Sequence, residues 1–201
     1  MPGTIPHPLI HINGFPGAGK LTVAQHLVAR VAYSANIKLV HNHLLINPAD
    51  AVLHRTQPGY QSLRHALRAA IFTSLATEPA TFNTTYLFTD FQTTNEQGVS
   101  VCAEYAQAAK DRGCLLIPIV LNCDEDENIK RMTQSEREKH AKLMDVELLK
   151  TFRRGSVFEF SDRKEFLKIN VTHLEPEEVA RIIWEHVLLL YPSMSGAESG
   201  C

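Results

Sequence analysis

The run Gly14-Phe15-Pro16-Gly17-Ala18-Gly19-Lys20, followed by Leu21-Thr22, constrains the fold of this chain more than any other segment. An apolar stretch, Leu9-Ile10-His11-Ile12, leads into it, and a helix-forming stretch from Val23 leads out. Strand, glycine-rich turn and helix together make a cradle for phosphate. The glycines let the backbone curl around an oxyanion and aim several N–H groups at it. The positive end of the following helix adds to that field. Lys20 then reaches the outer phosphates of a nucleoside triphosphate. The plainer alternative is a turn that merely joins a strand to a helix, and the context on both sides favours the cradle.

Apolar strands and amphipathic helices alternate along the rest of the chain, the pattern of a parallel α/β sheet. The first strand spans 9–13 and its helix 20–33. A second strand, 37–40, leads into His41-Asn42-His43. An irregular segment follows, marked by the turn signals Asn47-Pro48 and Pro58-Gly59. The next helix spans 61–75, with Leu63, Leu67, Ile71 and Leu75 as its core stripe and Arg64 and Arg68 on another face. A third strand, 86–89, ends at Asp90, and a helix over 96–112 is capped by Gly113. The fourth strand, 115–121, holds Pro118, which predicts a bulge. A highly charged helical stretch runs from 124 to 150, and a fifth strand covers 166–170. Pro176 starts the last helix, whose stripe is Val179, Ile182, Ile183, His186, Val187 and Leu190. There is no internal repeat, so one domain over 1–191 with a flexible tail at 192–201 is expected.

The 201 residues suffice for one core without staples. A net charge of −2 offers no basic field for a polyanion, which disfavours nucleic acid as a partner. Cys102, Cys114, Cys123 and Cys201 lack metal-ligand spacing and read as free thiols of a reducing compartment. No apolar run reaches spanning length, so no membrane contact is expected. The first residues lack the basic and apolar regions of a secretory signal. A cytoplasmic location is the expectation.

Asp90 is the second informative residue. An acid after an apolar strand stands at the carboxyl edge of the sheet, where ligands of open α/β sheets bind. There it can hold Mg²⁺ through water or take a proton from an attacking hydroxyl. Gly14 to Thr22 after the first strand, Asp90 after the third and a late basic helical segment together resemble the P-loop kinases. The branch resembled holds adenylate, shikimate and gluconate kinases and chloramphenicol phosphotransferase. The likeness extends from about Leu9 to Leu190, and Asn42-His43-Leu44-Leu45 matches an N-H-L-L run that accompanies this cradle in similar small P-loop proteins.

The resemblance implies a three-layer P-loop NTPase fold, α/β, with a parallel five-stranded sheet in the order 2-3-1-4-5 and helices on both faces. It implies ATP as phosphoryl donor, Mg²⁺ and a small-molecule acceptor. Gly14, Phe15, Pro16, Gly17, Ala18, Gly19, Lys20, Leu21 and Thr22 would bind the nucleotide, with Lys20 following the moving phosphoryl. Asn42, His43, Arg64 and Asp90 would bind the acceptor, His41 being an alternative for its proton. The stretch from about 124 to 142 resembles a lid, with Arg131 and Arg137 as arginines that neutralise the transferred charge and Arg153-Arg154 as weaker candidates. Leu21 departs from the usual pattern, because the residue after the lysine is commonly Ser or Thr and leucine ligates no hard cation. Adenylate kinases share that departure, with a Thr one residue later, as Thr22 stands here. Phosphoryl transfer to a small molecule is the leading expectation; a P-loop NTPase switch or hydrolase, and a nucleotide binder without turnover, are the alternatives.

Overall fold

The computed structural model describes residues 5–133 and 146–194. Five parallel strands form one sheet in the order β2-β3-β1-β4-β5. They are β1 (Leu9–Asn13), β2 (Ile37–His41), β3 (Thr85–Thr89), β4 (Leu116–Asn122) and β5 (Leu167–Asn170). β1 lies at the centre, with Ile10 opposite Leu87 on one side and Ile117 on the other. Every residue of β1 and β3 is buried, as apolar runs covered on both faces must be.

The period-two alternation of the strands sorts side chains into two cores. Ile10, Ile12, Leu87 and Ile119 face α1 (Lys20–Val31) and α7 (Pro176–Leu190), meeting Val23, Leu27, Ile183 and Val187. Leu9, Tyr86 and Phe88 face the opposite way, against α3 (Tyr60–Thr77) and α4 (Glu96–Arg112), meeting Phe72, Val101 and Tyr105. The three-layer arrangement and strand order are those implied by the resemblance. A smaller apolar cluster sits at the carboxyl edge. It joins Phe15 of the cradle to Val120, Met132, Leu149 and Val157. Met132 belongs to α5 (Glu125–Met132) and Leu149 to α6 (Val146–Arg153).

Local chemistry explains the element ends. Asn95 caps α4 by accepting from the Gly98 N–H at 2.7 Å, and Gly113 ends it in the left-handed region at φ 73°. Pro118 makes no bulge: the register runs unbroken from His11 opposite Pro118 to Ile12 opposite Ile119. The Val171 N–H donates to the Asn122 carbonyl, so alternate residues back to Pro118 face β5. β5 begins to pair only at Leu167, opposite Ile119, and the absent proline N–H falls where no strand yet lies beside it.

Two helical expectations change. The segment after β2 is not irregular but carries α2 (His43–Asp50), with Pro48 inside it. Burial of Leu45 and Ala49, one turn apart, outweighs the single bond the proline removes. In α3 the buried residues are Tyr60, Arg68, Phe72 and Leu75, whereas Leu63, Leu67 and Ile71 are half-buried. Arg68 turns inward because Glu104 of α4 meets its guanidinium with two bonds of 2.8 Å.

Candidate active site

The carboxyl edge of the sheet gathers the chain's polar loops. Between β1 and α1 the loop 14–19 turns so that α1 begins at Lys20 with no acid in its first turn and no side-chain cap, which suits its positive end to an anion. Gly19 and Gly17 lie in the left-handed region, at φ 85° and 89°. A Cβ at Gly17 would overlap the side-chain amide of Asn128 and come within 2.7 Å of Met132 Cγ. The Lys20 ammonium donates to the carbonyls of Gly14 (2.5 Å) and Phe15 (2.8 Å), pinning the start of the loop.

Asn13 anchors the loop from below. Its Oδ1 accepts from the N–H groups of Gly14 and Gln92, both at 2.9 Å, and its Nδ2 donates to the carbonyls of Gln92 (2.9 Å) and Phe158 (3.0 Å). Asp90 lies beside it, 2% exposed. Its Oδ1 accepts from the Phe91 N–H at 2.8 Å, and its Oδ2 from Gln92 Nε2 at 2.8 Å and the Tyr105 hydroxyl at 3.4 Å. Its carboxylate raises the pKa of the Cys102 thiol further, after burial has done most to push it up to about 12. His11 completes this buried group, its ring 4.2 Å from that of Tyr105 and its Nε2 without a hydrogen-bond partner. Burial pushes the His11 imidazole down to about 4; Asp90 opposes that shift and Lys20 adds to it. His11 is therefore neutral at neutral pH.

At the end of β2, Asn42 precedes α2 and its Oδ1 accepts from Arg64 Nη2 at 3.3 Å. Arg64 Nε is buried without a hydrogen-bond partner. His43, the first residue of α2, lies 6.1 Å from the ring of His41, centroid to centroid. The structure thus brings Asn42 and Arg64 together, while Arg68 is committed to Glu104.

The arginines of α5 and α6 are placed differently, and only Arg153 touches the cradle. Arg131 donates to Glu127 at 2.8 Å and to the carbonyls of Val171 (2.9 Å) and Thr172 (3.0 Å), tying α5 to the end of β5. Arg153 lies over the Phe15 ring, 4.9 Å from its centroid, and donates to Asn128 Oδ1 at 3.0 Å and to the Cys123 carbonyl at 3.1 Å. Of the segment expected as a lid, residues 125–132 form α5 packed on the loop. Arg137 lies outside the described residues.

No family model and no curated protein matches this chain. Solved structures do. A sugar kinase from Janibacter is similar at 15% identity and a TM-score of 0.64, over 96% of this chain and 100% of that one. A gluconokinase from Sinorhizobium meliloti is similar at 14% identity and a TM-score of 0.60, over 96% of this chain and 97% of that one. The Mycobacterium tuberculosis APS kinase, solved with AMPPNP and APS, is similar at 13% identity and a TM-score of 0.58, over 90% and 98%.

The chain has the P-loop NTPase fold.

Within this fold the cradle residues fit a triphosphate: an uncapped helix start, left-handed glycines and an ammonium stand together. Direct ligation of a divalent cation fits less well. Leu21 follows the lysine, and among the described residues no group of three or more His, Cys, Asp or Glu is placed to hold a metal. A single carboxylate at Asp90 fits a cation that arrives on the triphosphate and is reached through water. No described helix is long and apolar enough to cross a membrane.

Three residues of this edge escaped the sequence reading: Asn13, Gln92 and Asn128. Asn13 had a signal, as a polar residue closing an otherwise apolar strand directly before the loop. Asn128 had none, since Pro16 lies far away in sequence, and Gln92, though only two residues after Asp90, meets Asn13 from 79 residues away.

Proposed function

We propose that this protein is an ATP-dependent small-molecule kinase, which transfers the γ-phosphoryl group to a hydroxyl or phosphate acceptor. The observation that carries this reading is Lys20 at the mouth of the cradle, bonded to the Gly14 and Phe15 carbonyls and thus poised beside the uncapped start of α1. ATP lies with its outer phosphates along residues 14–20 and Thr22 near the α-phosphate. Lys20 accompanies the γ-phosphoryl as it moves. Mg²⁺ carried by the triphosphate would supply charge neutralisation, and Asp90 would be the carboxylate that reaches it through water. Asn42, His43 and Arg64 bind the acceptor beside Asp90. Arginines of the 124–142 segment, Arg131 and Arg137, stabilise charge on the transferred group. Catalysis by such a site is mostly positioning and electrostatics. The reaction is cytoplasmic, with no nucleic acid or membrane as partner.

A second reading, a nucleotide binder or hydrolase without an acceptor, draws on Leu21 and on the hydrogen bonds that already engage both oxygens of Asp90. ADP release from Mg-ATP, alone and with a panel of hydroxyl-bearing metabolites and nucleotides, separates the two. The kinase reading expects a strong rise with one acceptor, abolished in Lys20→Ala. Turnover indifferent to every acceptor establishes the hydrolase, and tight binding without product establishes the inert binder.

A further inference from the structure

A phosphate loop must point its N–H groups inward, so its carbonyls must be held outward. In this loop two anchors do that work. Lys20 holds the carbonyls of Gly14 and Phe15. Asn128 of α5 holds the third, donating from Nδ2 to the Pro16 carbonyl at 2.8 Å. Lys20 is a shared anchor, because the N–H donors of its ammonium serve both those carbonyls and the outer phosphates. Asn128 has no such second task.

The orientation of the Asn128 amide is set by chemistry. Its Oδ1 accepts from Arg153 Nη1, which leaves Nδ2 for Pro16. Arg153 is fixed in turn by the Cys123 carbonyl, by Glu125 at 3.7 Å and by the Phe15 ring beneath it. Asn128 is 0% exposed, where a hydrogen bond is stronger than in water. The fit is close: only the missing side chain of Gly17 leaves room for the Asn128 amide and Met132.

We infer that Asn128, locked by Arg153, is the positioning residue that holds the Pro16 carbonyl and so keeps the phosphate loop shaped for a triphosphate. This deepens the kinase reading and rests on its assignment of the loop. Arg153 acts here through Asn128 and Phe15, as part of the loop's support.

The amides of Gly14 and Ala18 are bonded within this region, to Asn13 Oδ1 at 2.9 Å and the Phe15 carbonyl at 3.2 Å, so loop opening is readable by hydrogen exchange without nucleotide. Asn128→Ala should speed exchange across 14–19 and leave β1, β3 and β4 peptides at the wild-type rate. In a Lys20→Met background the increase should exceed the sum of the single effects, since both anchors are then gone. Arg153→Lys keeps the charge but not the fork, and should resemble Arg153→Ala in loop exchange and in an approximately tenfold loss of ATP affinity. Unchanged loop exchange in Asn128→Ala, acceleration spread evenly over the strands, or full recovery by Arg153→Lys would each overturn the inference. ATP affinity indifferent to Lys20→Ala would instead overturn the phosphate reading, and apo loop exchange would still decide the clamp.

Discussion

Asn13 and Gln92 exchange two hydrogen bonds, one from Asn13 Nδ2 to the Gln92 carbonyl and one from the Gln92 N–H to Asn13 Oδ1, each 2.9 Å long. The remaining bonds of Asn13 go to Gly14 and Phe158. One buried amide thus joins the end of β1, the start of the cradle, the segment carrying Asp90 and the segment before β5.

Truncating that amide leaves three backbone groups of a dry region without partners, the N–H groups of Gly14 and Gln92 and the Phe158 carbonyl, while the Gln92 carbonyl keeps the Phe158 N–H. Asn13→Ala should therefore lower stability by about 3 kcal/mol. Chemical denaturation gives the number. A loss under about 1 kcal/mol means the freed groups find water, and the junction is looser than described.

Gly17→Ala places a methyl where Asn128 and Met132 already stand, at a φ of 89° that other residues adopt only at a cost. A loss of about 1–3 kcal/mol is expected, with at least a tenfold weaker affinity for triphosphate. Thermal unfolding and a binding titration on one preparation test both halves. Wild-type behaviour in both would show that α5 can withdraw from the loop freely.

His11 gives stability a pH dependence of known sign. Its folded pKa, about 4, lies below its ordinary 6.5, so the unfolded chain binds the extra proton. The contribution is complete above pH 6.5 and lost as pH falls from there to about 4, by about 3 kcal/mol in all. Midpoints of urea unfolding measured across that window should fall in the wild type and fall distinctly less in His11→Leu. Equal slopes in the two proteins would assign the loss to other groups.

Arg68 and Arg64 should separate cleanly. Arg68 is 4% exposed and bound to Glu104, which also lies 3.2 Å from His65. The hydrogen bonds and charges of Arg68 hold the Glu104 carboxyl below its ordinary range, although burial pushes it the other way. Arg68→Ala should cost about 3–4 kcal/mol by stranding that carboxylate, whereas Arg68→Met with Glu104→Leu should come close to neutral. Arg64→Met should leave stability nearly intact and raise KM for whichever acceptor the panel identifies. The reverse pattern would exchange their roles.

Strand positions were legible to within about a residue, because strands covered on both faces have to be apolar runs bounded by polar turns. α4 was legible at both ends, since Asn95 and Gly113 are local signals. What escaped depends on partners distant in sequence. Pro48 signals a turn until Leu45 and Ala49 find the core. The stripe of α3 is rotated because Glu104 neutralises Arg68 from another helix. At the site, the loop and Asp90 were readable from order along the chain. The contact of Asn128 with Pro16, and of Arg153 with Phe15, arises only when α5 and α6 are folded back over the cradle.

The central place of β1 also decides when the cradle can exist. The strand leading to the loop has no neighbour in sequence to pair with; its partners, β3 and β4, are made long after it, and Asn128 later still. On a ribosome the glycine-rich segment emerges before β3, β4 and α5 and so waits for the bonds they bring. Until α5 arrives it travels as an open, hydrated loop. Assembly of this fold is paced by long-range closure, and the loop takes its final shape only at its end.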